Sequence, residues 1–267
     1  MGRFLVVSKA EQLEEYKQLS DEYGVGFEIN DFYNPDVLDD EKWTEKLILQ
    51  YEQTGIPEGS TMHGAFLDVT VFSQDSAVRR VSRQRMEQSM EIAARLGVKG
   101  VVFHTNCNPL LEGEEYNNQV VEVTAAYLET LLQSYKNVEI YLENMFDRTP
   151  DILKGISQRL CRYQNYGVCF DYAHASIYGV EMEQWVEELE QYVKHIHIND
   201  NDLNHDLHWA LGDGLLDWKR FEMYYERHFK TCSILIETTS LENQRESLEY
   251  LRQETGIWRM EGDSDGK

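Results

Sequence analysis

Basic residues are scarce in this 267-residue chain: 25 lysines and arginines stand against 48 aspartates and glutamates, a formal net charge of −23. This deficit disfavours nucleic acid as a partner, because a phosphate backbone is bound through a net basic surface. Anionic membrane surfaces are disfavoured for the same reason. The sequence also has no apolar run long enough for a signal peptide or a membrane span, so we expect a cytoplasmic protein without a membrane segment.

Cysteine and proline are rare as well. The four cysteines are scattered without a Cys-x-x-Cys pair, which predicts reduced thiols in a cytosolic protein. Only four prolines occur and no segment resembles a linker, so we expect a single domain over residues 1–260 and a polar, disordered tail over 261–267. A hydrophobic content of 42% is enough for a large core, which argues against a disordered chain.

Short apolar runs of β type alternate with amphipathic stretches of helical spacing. The predicted strands are Phe4–Val7, Gly26–Ile29, Thr61–Gly64, Gly100–His104, Val138–Glu143, Gly167–Asp171, His195–Asn199 and Ser233–Glu237. The predicted helices lie near 9–22, 37–54, 75–96, 115–135, 151–164, 181–191, 217–228 and 241–255. The strand segments are continuously apolar, as is typical of parallel strands buried on both faces. Eight strands in strict alternation with eight helices predict an α/β fold, a single (β/α)8 TIM barrel.

Histidines and carboxylates follow six consecutive predicted strands. A TIM barrel carries its functional residues at the C-terminal ends of its strands, so these side chains are expected to meet at one mouth. Each alone could be structural, since a carboxylate after a strand often caps a helix. Together they favour a metal site, and imidazole with carboxylate suits Zn or Mn better than Mg. The nine candidates are His63, His104, Glu143, Asp171, His174, His197, Asp206, His208 and Glu237.

The segment around the seventh strand contains further polar residues. His195 and His197 are two residues apart and therefore point to the same face at different depths, with His197 nearer the mouth. We expect His195 to be a buried, hydrogen-bonded support. Asn199 and Asp200 are expected to hold the loop that follows, where glycines predict a tight turn.

The chain resembles the xylose isomerase-like TIM barrel superfamily, which includes endonuclease IV and many sugar isomerases and epimerases. The resemblance covers essentially the whole barrel. It depends on the strand-end histidines, Glu143-Asn144, Asp171-Tyr-Ala-His174, His197-Ile-Asn-Asp200, Asp206-Leu-His208, Gly212-Asp-Gly214 and Glu237. These motifs are short, and their order and placement are specific for the superfamily but not for one activity.

Two ligand sets follow from the resemblance. In endonuclease IV nine such residues hold three zinc ions, and all nine positions find a match here. In the ketose 3-epimerases a smaller set holds one divalent ion, and it corresponds to Glu143, Asp171, His197 and Glu237. Those epimerases also place an arginine six residues beyond the strand-seven histidine, where this chain has Leu203. The resemblance thus implies one to three divalent ions, with a departure from the ketose 3-epimerase pattern.

The leading hypothesis is a metal-dependent isomerase or epimerase of a small sugar or sugar derivative, in a barrel that could form a homo-oligomer. Glu143 and Glu237 would exchange a proton beside a metal-chelated carbonyl, and His174 would orient a substrate hydroxyl. The alternative is a zinc-dependent phosphoesterase like endonuclease IV, in which Glu143 positions a water molecule. The acidic charge favours the first hypothesis over the second. A barrel that only binds a metal is least favoured, because both glutamates are kept.

Three residues outside the ligand set are candidates for substrate contact. Glu28 ends the second strand and could hydrogen-bond inside the mouth, where it would support His63 or the substrate, and a structural role is favoured over substrate contact. Phe66 lies on the loop after the third strand, where it could wall a compact pocket. Trp209 could stack on the apolar face of a sugar, or could simply pack within its loop.

Overall fold

Eight parallel strands close into a barrel in which each strand pairs with its neighbours in the sequence and β1 pairs with β8. The structure is a computed structural model that describes residues 4–111, 113–177 and 180–258, and the predicted tail over 261–267 lies outside these residues. The strands are β1 (Phe4–Ser8), β2 (Gly26–Ile29), β3 (Thr61–His63), β4 (Gly100–His104), β5 (Glu139–Glu143), β6 (Tyr166–Asp171), β7 (Val193–Ile198) and β8 (Ser233–Ile236). The predicted (β/α)8 barrel is confirmed.

Helices cover the outside of the barrel. They are α1 (Leu13–Tyr23), α2 (Pro35–Asp39), α3 (Glu41–Thr54), α4 (Ser76–Leu96), α5 (Glu114–Ser134), α6 (Asp151–Leu160), α7 (Tyr172–Ile177), α8 (Met182–Leu189), α9 (Trp218–Tyr224) and α10 (Leu241–Glu254). A 3-10 turn, Ala10–Gln12, precedes α1, and a π-helical turn, Tyr225–Phe229, follows α9. None of the described helices is long and apolar enough to span a membrane.

Two helical segments differ from the sequence prediction. The helix predicted near 37–54 is divided at Asp40, because the Asp40 carboxylate accepts hydrogen bonds from the backbone N–H groups of Lys42 and Trp43 and so begins a new helix. The short helix α7 follows β6 directly and is not predicted by the sequence pattern. Its first turn is held by Asp171, whose Oδ1 accepts a hydrogen bond from the His174 backbone N–H at 2.6 Å.

The interior of the barrel changes from apolar to polar toward the C-terminal ends of the strands. One apolar cluster inside it is formed by Leu5, Val7 and Leu235. A second is formed by Val102, Tyr141 and Cys169, and these are followed two residues later by His104, Glu143 and Asp171. Alternate residues of a strand share a face, so the polar side chains lie directly above the apolar ones. The barrel thereby places its functional groups on a rigid, packed floor.

Candidate metal centre

The nine candidate ligands of the sequence analysis come together at the C-terminal mouth of the barrel. Glu143, Asp171, His197 and Glu237 form a first group, in which one ligand atom from each residue lies within 4.8 Å of all the others. The Nδ1 atom of His197 is 3.3 Å from Glu143 Oε2 and 3.3 Å from Glu237 Oε2. His197 therefore stands between the two glutamates.

A second group shares Glu143 with the first. His63 and His104 approach each other through their Nε2 atoms at 3.0 Å. Glu143 Oε2 is 3.4 Å from His104 Nε2 and 3.9 Å from His63 Nε2. Two imidazole nitrogens and a carboxylate oxygen at these separations have the spacing of ligands around one ion.

The remaining candidates form a third group around Asp206. Its Oδ2 atom is 3.3 Å from His174 Nε2 and 3.0 Å from His208 Nε2. His174 also connects this group to the first, since its Nδ1 lies 3.3 Å from Glu143 Oε1. His208 occupies a left-handed backbone conformation, with φ of +50°, which a non-glycine residue adopts only when its surroundings hold it there.

Backbone carbonyl groups fix the orientation of three of the histidines. The Nδ1 atoms of His63, His174 and His208 lie 3.0, 3.0 and 2.7 Å from the carbonyl oxygens of Gly64, Asn144 and Glu237. An N–H at Nδ1 donates to each carbonyl and leaves Nε2 directed into the mouth. Metal-binding histidines are oriented in this way in proteins generally.

A different partner orients His197, namely Glu28. The carboxylate of Glu28 lies beneath the mouth, 3.3 Å from His197 Nε2 and 3.1 Å from His195 Nε2, and accepts a hydrogen bond from Thr61. Glu28 is fully buried and does not line the cavity, so its position does not support the substrate contact considered for it. Its carboxylate instead leaves Nδ1 of His197 free to act as the ligand atom, and His195 is buried and hydrogen-bonded as expected.

Burial and neighbouring charges shift the pKa values of the mouth in opposite directions. Burial lowers the pKa of His63, which favours the neutral form that binds metal. The pKa of His174 is raised well above the usual value, because Asp171 and other neighbouring carboxylates outweigh the effect of burial. The pKa of His197 is also raised well above the usual value, because Cys169 first, and then Glu143 and other carboxylates, outweigh the effect of burial. Asp206 and Glu237 similarly raise the pKa of His208 to about 10. In the metal-free protein these three histidines thus hold protons that a metal ion would displace.

Several buried oxygen atoms of the carboxylates have no hydrogen-bond partner. They include both Oε atoms of Glu143, Oδ2 of Asp171, Oδ1 of Asp206 and Oε2 of Glu237. A buried carboxylate oxygen without a partner is costly, and metal coordination is the interaction that this donor set would satisfy. The residues therefore fit a divalent ion. Cys169 forms a further possible ligand group with His195 and His197, and burial raises the pKa of its thiol.

The loop between β7 and α9 is held by Asp200. Its carboxylate is fully buried and accepts hydrogen bonds from three backbone N–H groups and from Trp218 Nε1. Gly212 has a φ of +93°, and a Cβ atom on Gly214 would lie 2.2 Å from Asp200 Oδ1. The expected roles of Asp200 and the glycine turn are confirmed, whereas the buried side chain of Asn199 has no hydrogen-bond partner.

A cavity of about 250 Å³ opens above the ligand groups. One wall is aromatic. Phe66 stacks on Tyr33 with ring centres 5.1 Å apart, and its ring centre lies 4.7 Å from that of His104. Phe66 lines the cavity, as its predicted role requires, whereas Trp209 does not and instead forms backbone hydrogen bonds with Asp200. The lining also contains Lys9, Asn30, Thr238 and Thr239, which the sequence analysis did not select.

The sequence of this chain matches a known family over almost its whole length. The family model described as "Xylose isomerase-like TIM barrel" matches residues 3–254. The chain belongs to this family. An uncharacterized protein of Methanocaldococcus jannaschii, MJ1311, is 28% identical in an alignment of 171 positions that covers 59% of this chain. The match spans 56% of the length of that relative, which is less than two thirds.

Solved structures share the fold over nearly the whole chain. The TTHB071 protein from Thermus thermophilus, in a structure described as soaked with ZnCl2, is 21% identical and covers 99% of this chain and 100% of its own, with a TM-score of 0.78. A D-tagatose 3-epimerase-like protein is 23% identical and covers 97% of this chain and 99% of its own, with a TM-score of 0.75. Sugar epimerases, among them an L-ribulose 3-epimerase, recur among the structural neighbours. At these identities the likeness shows the fold.

Proposed function

We propose that this protein is a divalent-metal-dependent isomerase or epimerase of a small sugar or sugar derivative. The observation that carries the proposal is the first ligand group, in which Glu143 and Glu237 approach His197 from two non-adjacent strands. Proton exchange beside a carbonyl needs two acid–base groups and a centre of positive charge between them. The group provides the carboxylates and the ligands for such a centre.

In this proposal the protein moves a proton between two faces of the substrate. A bound divalent ion would act as a Lewis acid on the substrate carbonyl and so acidify the adjacent C–H bond. One glutamate, as a carboxylate, takes the proton from that carbon, and the other, as a carboxylic acid, returns a proton to the opposite face. The roles of Glu143 and Glu237 are thus exchanged after each epimerisation. We assign His174, which lines the cavity, to orient a substrate hydroxyl.

The size and lining of the cavity support a small substrate. A volume of about 250 Å³ lies below the range of drug-sized pockets and suits a monosaccharide. The stacked rings of Tyr33 and Phe66 offer an apolar surface for the face of a sugar ring. The sugar epimerases among the structural neighbours support the same substrate class.

The test is exchange of deuterium from D2O into a panel of ketoses and aldoses by protein loaded with Zn²⁺ or Mn²⁺. We expect incorporation at one carbon next to the carbonyl, and loss of about 99% or more of the rate in Glu237→Gln, because general acid–base groups contribute factors of about 100 to 10,000. Glu187→Gln, an exposed change on α8, serves as the matched control. Full exchange activity in Glu237→Gln would remove this residue from the mechanism.

A second candidate is a phosphoesterase with several zinc ions, and the two additional ligand groups favour it. Proton exchange uses one ion, yet His63 and His104 form one further group with Glu143, and the three residues around Asp206 form another. Clustered ions generate hydroxide near neutral pH and stabilise both oxygens of a phosphate displacement. This candidate needs all three groups, whereas the isomerase needs only the first.

Metal analysis together with one substitution separates the two candidates. Three zinc ions per chain and cleavage of bis(p-nitrophenyl) phosphate are expected for the phosphoesterase. Under that candidate His104→Asn removes an ion and most of the cleavage. Under the isomerase proposal the same variant retains one ion and its deuterium exchange. Three ions without any exchange into the sugar panel would overturn the isomerase.

A further inference from the structure

Part of the cavity lining is polar and differs in chemistry from the aromatic residues Tyr33 and Phe66. It is built from the ends of β8, β1 and β2 and contains Lys9, Asn30, Thr238 and Thr239. Of the described residues that line the cavity, Lys9 is the one lysine or arginine. Its side chain is exposed, and no carboxylate in the described part of the chain forms an ion pair with it. An unpaired lysine at a cavity is unusual in a chain with a net charge of −23, and its charge could serve to bind an anion.

The nearest acidic group does not account for Lys9. Asp31 feels the charge of Lys9, but its Oδ2 atom already accepts hydrogen bonds from the Ala10 backbone N–H at 2.9 Å and from the Tyr51 hydroxyl at 2.6 Å. Asp31 is half-buried behind this wall and does not line the cavity. The charge of Lys9 is therefore available to a molecule in the cavity.

Two polar side chains of the same wall also have atoms without a partner. Thr238 is 2% exposed, and its buried Oγ1 atom makes no hydrogen bond. The Oδ1 atom of Asn30 is also buried and makes no hydrogen bond. A buried hydroxyl without a partner costs free energy unless a ligand satisfies it. The position of Thr238 is fixed by Gln244, whose Nε2 donates to the carbonyl oxygens of Val7 at 3.0 Å and of Thr238 at 3.4 Å. The ends of β1 and β8 are thereby held side by side.

The N-terminus of α10 lies directly after Thr238 and Thr239. This helix has 14 residues, and its first turn is capped by Ser240, which accepts a hydrogen bond from the Asn243 backbone N–H. The positive end of a helix dipole favours an anion near it. Barrels of this architecture often bind phosphate at the loop after the eighth strand.

We propose that Lys9, Thr238 and the N-terminus of α10 form a subsite for an anionic group of the substrate, a phosphate monoester or a carboxylate. The proposal rests on the proposed sugar isomerase and names its substrate class as sugar phosphates or sugar acids. Lys9 provides the charge, the Thr238 hydroxyl donates a hydrogen bond, and the Asn30 amide contacts an adjacent hydroxyl. In this arrangement the anionic group binds at Lys9 and Thr238, and the reacting carbons face Glu143 and Glu237.

Equilibrium binding tests the subsite without requiring turnover. Fructose, fructose 6-phosphate and fructuronate are titrated calorimetrically into the Mn²⁺-loaded protein. We expect at least one anionic sugar to bind at least tenfold more tightly than fructose, and the better of the two identifies the anion. Lys9→Met should reduce this preference at least fivefold and Lys9→Arg should keep most of it. Lys99→Met, an exposed change just before β4, should leave it unchanged.

A second measurement covers the case in which none of these sugars is the substrate. Inorganic phosphate at about 10 mM should slow acetylation of Lys9 in the metal-free protein, followed by mass spectrometry, and should not slow acetylation of Lys99. Equal affinity for charged and neutral sugars, or no binding of any, together with an unprotected Lys9 overturns the subsite. A phosphate preference that persists in Lys9→Met also overturns it, because the phosphate then binds at the metal ligands. Deuterium exchange into neutral sugars, without tighter binding of the anionic sugars, would support the isomerase and show that the proposed subsite is wrong.

Discussion

Replacing Asp200 by asparagine should destabilise the protein far more than its conservative chemistry suggests. Each carboxylate oxygen of Asp200 accepts two hydrogen bonds. Oδ1 accepts from the backbone N–H groups of Asn201 at 2.9 Å and Leu216 at 3.2 Å. Oδ2 accepts from the Gly212 N–H at 2.9 Å and from Trp218 Nε1 at 2.8 Å. The side-chain amide of asparagine has one oxygen, so in either orientation its NH2 group faces two donors.

The expected loss of stability follows from the number of hydrogen bonds that Asp200→Asn removes. Two hydrogen bonds to a charged acceptor are lost, and each contributes about 1.5–3 kcal/mol when its acceptor is charged, which gives about 3–6 kcal/mol. This is a large part of the roughly 5–15 kcal/mol by which a domain is typically stable. Rotation of the side chain offers no relief, because both sides of the carboxylate are occupied by donors. The damage should centre on the loop that carries Asp206 and His208.

Urea unfolding of the metal-free protein, followed by circular dichroism, measures this loss. Asp213→Asn is the matched control, because Asp213 is exposed on the same turn and its change should stay within about 0.5 kcal/mol. A metal titration of the folded variant should show weakened binding at the third ligand group, while the first group is retained. A destabilisation of less than about 1 kcal/mol would refute the reasoning, since it would mean that the four donors find other acceptors at little cost.

Three further predictions concern metal binding and the thiols. Glu28→Gln should weaken the affinity for the first Mn²⁺ about tenfold, because His197 loses the carboxylate that orients it. Calorimetry measures this affinity with Glu187→Gln as the control, and equal Mn²⁺ affinities of the two variants would contradict the prediction. Zinc binding should release protons, and its affinity should increase from about pH 6 to about pH 8, because His174, His197 and His208 have raised pKa values and must deprotonate to bind. Calorimetric titrations in buffers of different ionisation enthalpy measure the released protons, and equal binding enthalpies would mean that these histidines were already neutral. Iodoacetamide should alkylate one of the four cysteines in the native protein, Cys161, since it is exposed and the others are buried, and rapid labelling of a second would contradict the structure.

The strands and most of the candidate ligands could be predicted from the sequence because each is defined by a short stretch of the chain. Each strand is a short apolar run, and most of the candidate ligands stand within three residues of the end of one, so their position in the chain decides which end of the barrel they occupy. Asp206 and His208 lie further along, in the loop held by Asp200. The tight turn at Gly212 and Gly214 was predicted from its glycines. For the helices the prediction is less complete: α7 has only six residues and depends on one hydrogen bond from the His174 backbone to Asp171.

Depth inside the barrel could be predicted along one strand, as for His195 and His197, but not between neighbouring strands. Glu28 ends a predicted strand just as His63 does, yet it lies one layer lower, where it contacts Thr61 and His195. The difference arises from the stagger between neighbouring strands of a closed barrel, which places Glu28 opposite Thr61 and not opposite His63. The wall containing Lys9 and Thr238 was missed for a related reason: its members come from opposite ends of the chain and meet only when β8 closes on β1.

The net charge of the protein and the lining of the cavity together indicate which class of substrate it can bind. One divalent ion would change the formal charge to −23 + 2 = −21 and three ions would change it to −23 + 6 = −17, so the protein stays acidic in either case. A duplex needs several lysines or arginines around the mouth to neutralise successive phosphates, and the described lining of the cavity offers one. A single cationic side chain suits a small molecule that carries one anionic group. The lining of the cavity therefore argues against a long polyanion but does not decide between the two chemistries, and the number of bound ions is the measurement that decides between them.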